Sequence, residues 1–473
     1  METRRTMTTA AGRGPQEDVV AGPRGYRALL VNREFLGLLI SRLISLVGDQ
    51  LARVALTVLV FARTGSPLLS AAAYAVTFLP VVIGGPLLGG LADRLPRRRL
   101  LVIADLLRAG LFALMAVPGL PLVVLLALVL LATTVEGPWA AARAPLMRDV
   151  LIDDDGYQLG TGLDEALNES GQVLGFALAG ALLVVFSTGA ALLLDAVSFA
   201  VSAVAVRLLV GHHAAADADG SPSEHGRGVW ARRYSRMLSD ARLGLSAATG
   251  PLSRRPLLLT WAGISCSIAP EALAAPWGRS LGTGTLGVGL LYAAAPGGVV
   301  VGLLLVGRSS AERGRRLLLP LAVLALAPLL VCLADPPLPV ALLLLVMSGA
   351  GTSYSLLARV AFVRAVTGPQ RGRAFAVAAA GVTAGQGLGI ALAGAAASLT
   401  SPPIAVGLLG ALGLVLVAGV VVATAASPAP GVAGGEPSPT AATVLDAMVP
   451  TVAWAPPDSE SPAGSPDFMV QPP

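Results

Sequence analysis

Apolar runs of about twenty residues alternate with short polar breaks along this chain, from residue 35 to residue 425. A bilayer core of about 30 Å is crossed by roughly 20 helical residues, since each advances a helix by about 1.5 Å. The windows predict membrane-spanning helices over 35–62, 68–92, 99–118, 121–147, 159–186 and 189–210. A second set follows over 256–276, 285–307, 315–333, 338–363, 372–398 and 403–425. The pattern is that of an all-α membrane protein with twelve transmembrane helices in two six-helix bundles.

The breaks set the organisation: an arm over 1–34, a bundle over 35–210, a central loop over 211–255, a second bundle over 256–426 and a tail over 427–473. The tail is rich in Pro, Ser and Gly and is expected to be disordered, because such a composition cannot bury a core. The arm has no apolar core ahead of a small-residue cleavage site, so it does not read as a cleaved signal peptide. In the central loop, Trp230, Tyr234 and Leu238 are spaced either for a short amphipathic helix on the anionic leaflet or for a plain tether.

Composition makes lipid the main solvent: 55% of the 473 residues are hydrophobic and 13% are charged, where soluble domains carry about 25% charge. All 33 basic residues are arginine. Without lysine there is no phosphate-binding loop of the kind that drives ATP pumps, so energy would come from a gradient or a separate ATPase subunit. The arginines gather in the arm (Arg4, Arg5, Arg13, Arg24, Arg27, Arg33) and after even-numbered helices (Arg97, Arg98, Arg99; Arg313, Arg315, Arg316). Positive charge near helix ends stays cytoplasmic, which predicts both termini on the cytoplasmic side of the inner membrane. Cys266 and Cys332 lie in apolar stretches, and His212, His213 and His225 in the central loop, with no metal-ligand spacing. No metal, cofactor, nucleic acid or enzymatic constellation is expected, and a monomer suffices.

The halves repeat. Gly171-Gln-Val-Leu-Gly-Phe-Ala-Leu-Ala-Gly-Ala181 returns as Gly385-Gln-Gly-Leu-Gly-Ile-Ala-Leu-Ala-Gly-Ala395, an offset of 214 residues, at which Gly84 also falls on Gly298, Arg94 on Arg308 and Arg99 on Arg313. Two related bundles are the architecture in which substrate sits between the halves near mid-membrane. In lipid, helices associate by close packing of small residues, so Gly171, Gly175, Gly180, Gly385, Gly389 and Gly394 are packing positions.

The stretch Gly89-Gly-Leu-Ala-Asp93-Arg94-Leu-Pro-Arg97-Arg98-Arg99 resembles the signature loop of the major facilitator superfamily, with Pro96 where the family usually has glycine. The resemblance implies the fold of that family and a gating role for Gly89, Asp93, Arg94, Arg97 and Arg98. Gly48-Asp49 with Arg53-Val-Ala-Leu, Ala142-Arg143-Ala-Pro145 and Asp195-Ala-Val-Ser198-Phe199 are similar to the branch of enterobactin exporters and macrolide-efflux proteins. The glycines of helix five also resemble the antiporter motif of drug exporters, with Phe176 where that motif has proline.

Charges inside the bilayer cost about 2.5–3.5 kcal/mol each on insertion scales, so each is a functional candidate. Asp49 lies about 21 Å into helix one at 1.5 Å per residue. It is either a proton carrier or the structural partner of Arg53 one turn on. Glu136 precedes Gly137 and Pro138, where the backbone ladder is expected to open, and has no basic neighbour in sequence. Glu169 and Glu271 are further proton-coupling candidates. Arg42 and Arg53 would face an anionic substrate or pair with Asp49 or Glu136, and Tyr74, Phe78, Trp139 and Trp261 either line a cavity or pack. The leading expectation is proton-coupled efflux of small amphipathic molecules: drugs, secondary metabolites or siderophores. The alternatives are a nutrient importer and a non-transporting scaffold or sensor.

Overall fold

The computed structural model describes residues 26–78, 95–151, 154–211, 239, 241–306, 311–366 and 370–425. The helices are α1 Arg33–Thr64, α2 Pro67–Val76, α3 Arg97–Met115, α4 Leu122–Val150, α5 Asp154–Val185 and α6 Thr188–Leu209 in the amino-terminal bundle. The carboxy-terminal bundle holds α7 (Arg254–Ser267, then Ala269–Ser280), α8 Gly284–Val306 and α9 Ala311–Leu326, which tightens into a 3-10 turn over Ala327–Ala334. It ends with α10 (Leu338–Thr352, then Tyr354–Ala365), α11 Arg371–Leu399 and α12 Pro402–Ala425. Ten of the described spans are long and apolar enough to cross a membrane; α2 ends at Val76 with Thr77 as its cap, the rest of the span expected over 68–92 lies outside the described residues, and α3 is lowered in hydropathy by its own charges.

Local chemistry fixes the helix ends. Asn32 caps α1, its Oδ1 accepting from the backbone N–H of Glu34 (3.0 Å) and of Phe35 (3.2 Å). Gly65 closes α1 in the left-handed region with φ 64°, and Ser66 with Pro67 starts α2, the expected pairing of a glycine stop with a capped, proline-led start. Proline marks one break inside a helix as well, although α10 breaks at Ser353 without one. Pro270 lacks the N–H that would continue the ladder, and α7 turns at Ile268 rather than running straight from 256 to 276. α4, in contrast, stays helical through both Pro138 and Pro145, so the missing N–H of Pro138 takes one bond out of the ladder beside Glu136 without ending the helix.

Large apolar side chains point outward on the lipid-facing surfaces, Val185 and Leu399 among them. Small residues face inward. A methyl placed on Gly171 would stand 2.6 Å from Leu46 Cδ2, and one on Gly175 would stand 2.8 Å from Gln50 Cβ, so α5 lies directly on α1. One on Gly180 would stand 2.5 Å from Gly289 Cα, so α5 also meets α8 of the other bundle backbone to backbone. The repeat carries the same pattern. Gly385 and Gly389 press on Ser265 of α7, and Gly394 lies against Leu68 and Ala71 of α2. Of the three glycines the two stretches share, each member thus uses the first two within its own bundle and the last across the bundle boundary, as a pseudo-twofold axis requires.

Candidate functional site

The bundles meet near the face that carries the turns at 65–66 and 281–283. Tyr74 Oη of α2 donates to Glu271 Oε2 of α7 at 2.7 Å, and the hydroxyls of Thr57 in α1 and Tyr292 in α8 are 2.8 Å apart. Tyr292 stacks on Phe176 of α5 at 5.2 Å between ring centroids and tilts against Tyr74 at 6.1 Å. Tyr74 in turn meets Phe78 edge-on at 5.4 Å. Two polar contacts wrapped in aromatic rings therefore close this face. The cross-bundle contacts of α7 are concentrated in its second segment. The first segment borders a cavity instead.

That cavity, of about 620 Å³, lies between the first segment of α7, the second segment of α10 and the start of α11. Its walls are apolar apart from Thr260, Ser355, Arg359 and Thr383. Trp261 lines it with its ring, because the indole N–H is spent on Ala378 O at 3.0 Å. The size falls within the range of about 300–1,000 Å³ typical of small-molecule pockets.

The amino-terminal bundle holds the buried charge. Arg108 of α3 donates to Asp49 Oδ1 at 2.8 Å, and its guanidinium lies 4.0 Å from the centre of the Phe199 ring. Asp105, one turn before Arg108, accepts from Ser202 Oγ at 2.6 Å. Asp195 accepts from Ser198 Oγ at 3.0 Å and lies against the bare Cα of Gly48, where a side chain would collide with it. The partner of Asp49 is thus Arg108 on another helix and not Arg53 on its own. Arg53 instead lies over the Phe78 ring at 5.9 Å, within electrostatic reach of Asp49, Glu136 and Glu271.

Glu136 is not remote from positive charge, as its sequence neighbours suggest: Asp49, Arg53, Arg108, Thr133 and Glu136 line one small cavity of about 20 Å³. That is room for about one water molecule. Nearer the opposite face, Arg143 grips Asp164 with two bonds of 2.6 and 2.8 Å, and Arg42 donates to Asn168 Oδ1 at 3.0 Å. Arg42 and Arg143 each lie 5.5 Å from the Trp139 ring, so Trp139 is a buried platform for two guanidinium groups and does not face the larger cavity.

Of the loop residues, Gly89, Asp93 and Arg94 lie outside the described residues, as does the side chain of Glu169. Arg97 pairs with Asp149 of α4, and Arg98 donates to the Arg207 carbonyl of α6, so the basic run ties α3 to two neighbours. The suggested amphipathic segment at Trp230, Tyr234 and Leu238 also lies outside the described residues. Asp105, Arg108 and Tyr292 were not singled out from the sequence. The signal for the first two was present, since any ionisable residue within a spanning window is a candidate; Tyr292 carries no such mark.

Transporters are among the solved structures that share this fold. A nucleoside transporter, NupG, matches with a TM-score of 0.61 at 13% identity over 82% of this chain and 99% of its own. A peptide transporter of the POT type bound to sulfate matches with a TM-score of 0.66 at 14% identity, over 84% and 95% of the two chains. No curated protein matches the chain by sequence. The model of the Major Facilitator Superfamily matches residues 38–270 and 263–457, and the chain therefore belongs to that superfamily of multi-pass membrane transporters.

Proposed function

We propose that this protein is a proton-coupled exporter of small amphipathic molecules, working by alternating access between the two bundles. The observation that carries the reading is the division of chemistry between the halves. One bundle concentrates buried carboxylates and arginines around a water-sized cavity at Asp49 and Glu136, suited to taking up and releasing a proton. The other presents a largely apolar cavity of about 620 Å³, suited to an amphipathic cargo. The cross-bundle bond from Tyr74 to Glu271 links the two, because Glu271 cannot keep this partner when the bundles separate at that face.

The arginine-rich face is assigned to the cytoplasm of the inner membrane by the positive-inside rule, so the large cavity opens inward and loads from the cell interior. Gly89, Asp93 and Arg94, with Arg97 and Arg98 at the start of α3, are assigned to gating by their resemblance to the family's signature stretch. A second reading, uptake of a polar nutrient, draws on the nucleoside and peptide transporters that share the fold; proton-dependent oligopeptide transporters are among them. Few polar side chains line the large cavity, which favours export of an amphipathic cargo.

The test is efflux of a preloaded amphipathic dye from cells lacking their own pumps, with and without a protonophore. Loss that stops on uncoupling, and that Glu136→Gln abolishes with the protein still in the membrane, is expected. Loss indifferent to the protonophore would remove proton coupling, and accumulation in place of loss would reverse the direction.

A further inference from the structure

The Asp49–Arg108 pair does not balance the charge around it. Four acids of the amino-terminal bundle, Asp49, Asp105, Glu136 and Asp195, lie within electrostatic reach of Arg108. Arg42 and Arg53 reach Asp49 and Glu136 as well. Four carboxyl groups thus face three guanidinium groups. A buried charge left unmatched is costly, and one proton on one of the four makes the cluster neutral.

Asp195 of α6 is the acid with the fewest donors. It is fully buried, and its Oδ2 has no hydrogen-bond partner among the described residues. Its Oδ1 accepts from Ser198 Oγ at 3.0 Å, a hydroxyl that is shared with the Asp195 carbonyl at 2.8 Å. The other three are better supplied. Asp49 receives Arg108, Asp105 receives Ser202 Oγ and has the Trp139 indole beside it, and Glu136 lines the water-sized cavity together with Arg53 and Arg108.

Arg108 is placed to serve Asp195 too. Its guanidinium lies over Phe199, one turn after Asp195 on α6, and its Nε is a buried donor without a partner among the described residues. Asp195 Oδ1 lies against Gly48, the residue before Asp49. One buried cluster therefore holds a spare donor and a spare acceptor that are not joined.

We infer that Asp195 binds the coupled proton and that Arg108 is the arm that turns toward it when the proton leaves. With Arg108 on Asp49, the Asp195 carboxyl is neutral. On release its O–H bond breaks, the proton passes by way of the cavity at Glu136 to water, and the carboxylate left behind takes the free Nε–H side of Arg108. This assignment rests on the reading of the protein as a proton-coupled carrier and puts the proton on the acid that the charge pairing leaves over.

The test is infrared difference spectroscopy of the full chain in nanodiscs, between acid and alkaline buffer, with isotope-labelled aspartate. A carbonyl stretch of protonated aspartic acid is expected in the parent chain and is lost in Asp195→Asn. Asp49→Asn should lose it too at neutral pH, because Arg108 then turns to Asp195, and adding Arg108→Gln should bring it back. A packing role for Asp195 would produce neither change. A band that persists in Asp195→Asn, or none in the parent, would overturn the inference. Asp195→Asn is a neutral isostere of the protonated acid, so its thermal unfolding should match the parent. Should it fail to fold, carbodiimide labelling of the parent chain decides, since the reagent takes buried protonated carboxyls: label on Asp195 supports the inference, and label on Asp49 in its place overturns it. Protonophore-sensitive dye efflux that survives in Asp195→Asn would refute the inference and leave the exporter reading standing. Efflux from the parent that ignores the protonophore would remove the proton-coupled reading, while an Asp195 band that responds to Asp49→Asn would still support the proton site.

Discussion

Tyr74 of the amino-terminal bundle donates a 2.7 Å hydrogen bond to Glu271 of the carboxy-terminal bundle, and the same face carries the Thr57–Tyr292 contact at 2.8 Å. A hydrogen bond of this kind contributes about 0.5–1.5 kcal/mol net, more when one partner is charged. Tyr74→Phe should therefore shift the population toward the state open at this face by roughly 2- to 10-fold, and Tyr74→Phe with Tyr292→Phe by more. Distances between spin labels on the 65–66 and 281–283 turns measure it. An unchanged distance distribution in the double variant would mean that the aromatic packing alone holds the face shut.

Arg108 and Asp49 are both buried. Removing one member of such a pair strands the other, at a cost of about 3–5 kcal/mol, whereas removing both costs much less. Arg108→Gln should lower the amount of folded protein in the membrane sharply, and Arg108→Gln with Asp49→Asn should recover most of it. Thermal unfolding of the detergent-solubilised variants reads this coupling directly.

At Gly180 the two bundles touch through backbone atoms. Gly180→Leu should hold them apart at that face and abolish turnover, while Gly175→Leu should disturb packing against α1 inside one bundle and reduce folding. The separation is visible as full membrane abundance with no transport in the first variant and reduced abundance in the second.

Asp93→Asn should lower transport with membrane abundance intact, as a gating acid in the loop before α3 requires. Unchanged transport would reduce this loop to a set of charges that orient the chain.

The order of the described helices was legible because the bilayer demands long apolar windows, and the shared offset of the two glycine stretches made the bundle symmetry legible too. Gly180 and Gly394 could be recognised as packing positions, but not as the ones that cross the bundle boundary, since that depends on how six helices are rotated together. Asp49 was visible from its depth, yet its partner was sought one turn along the same helix. The true partner, Arg108, is 59 residues away in sequence, and nothing local marks the pairing. Glu136 shows the same limit: its sequence neighbours are neutral, while Arg53 and Arg108 reach it from α1 and α3.

The Asp49–Arg108 bond also bears on how the chain enters the bilayer in the first place. α1 carries Arg42, Asp49 and Arg53, and α3 carries Asp105 and Arg108, so each is a poor passenger for lipid when it emerges alone from the translocon. Paired, they mask each other's charge. α1 and α3 are then expected to settle in the lipid together once α3 has been synthesised, while the carboxy-terminal helices, with fewer buried charges to hide, are free to partition one after another.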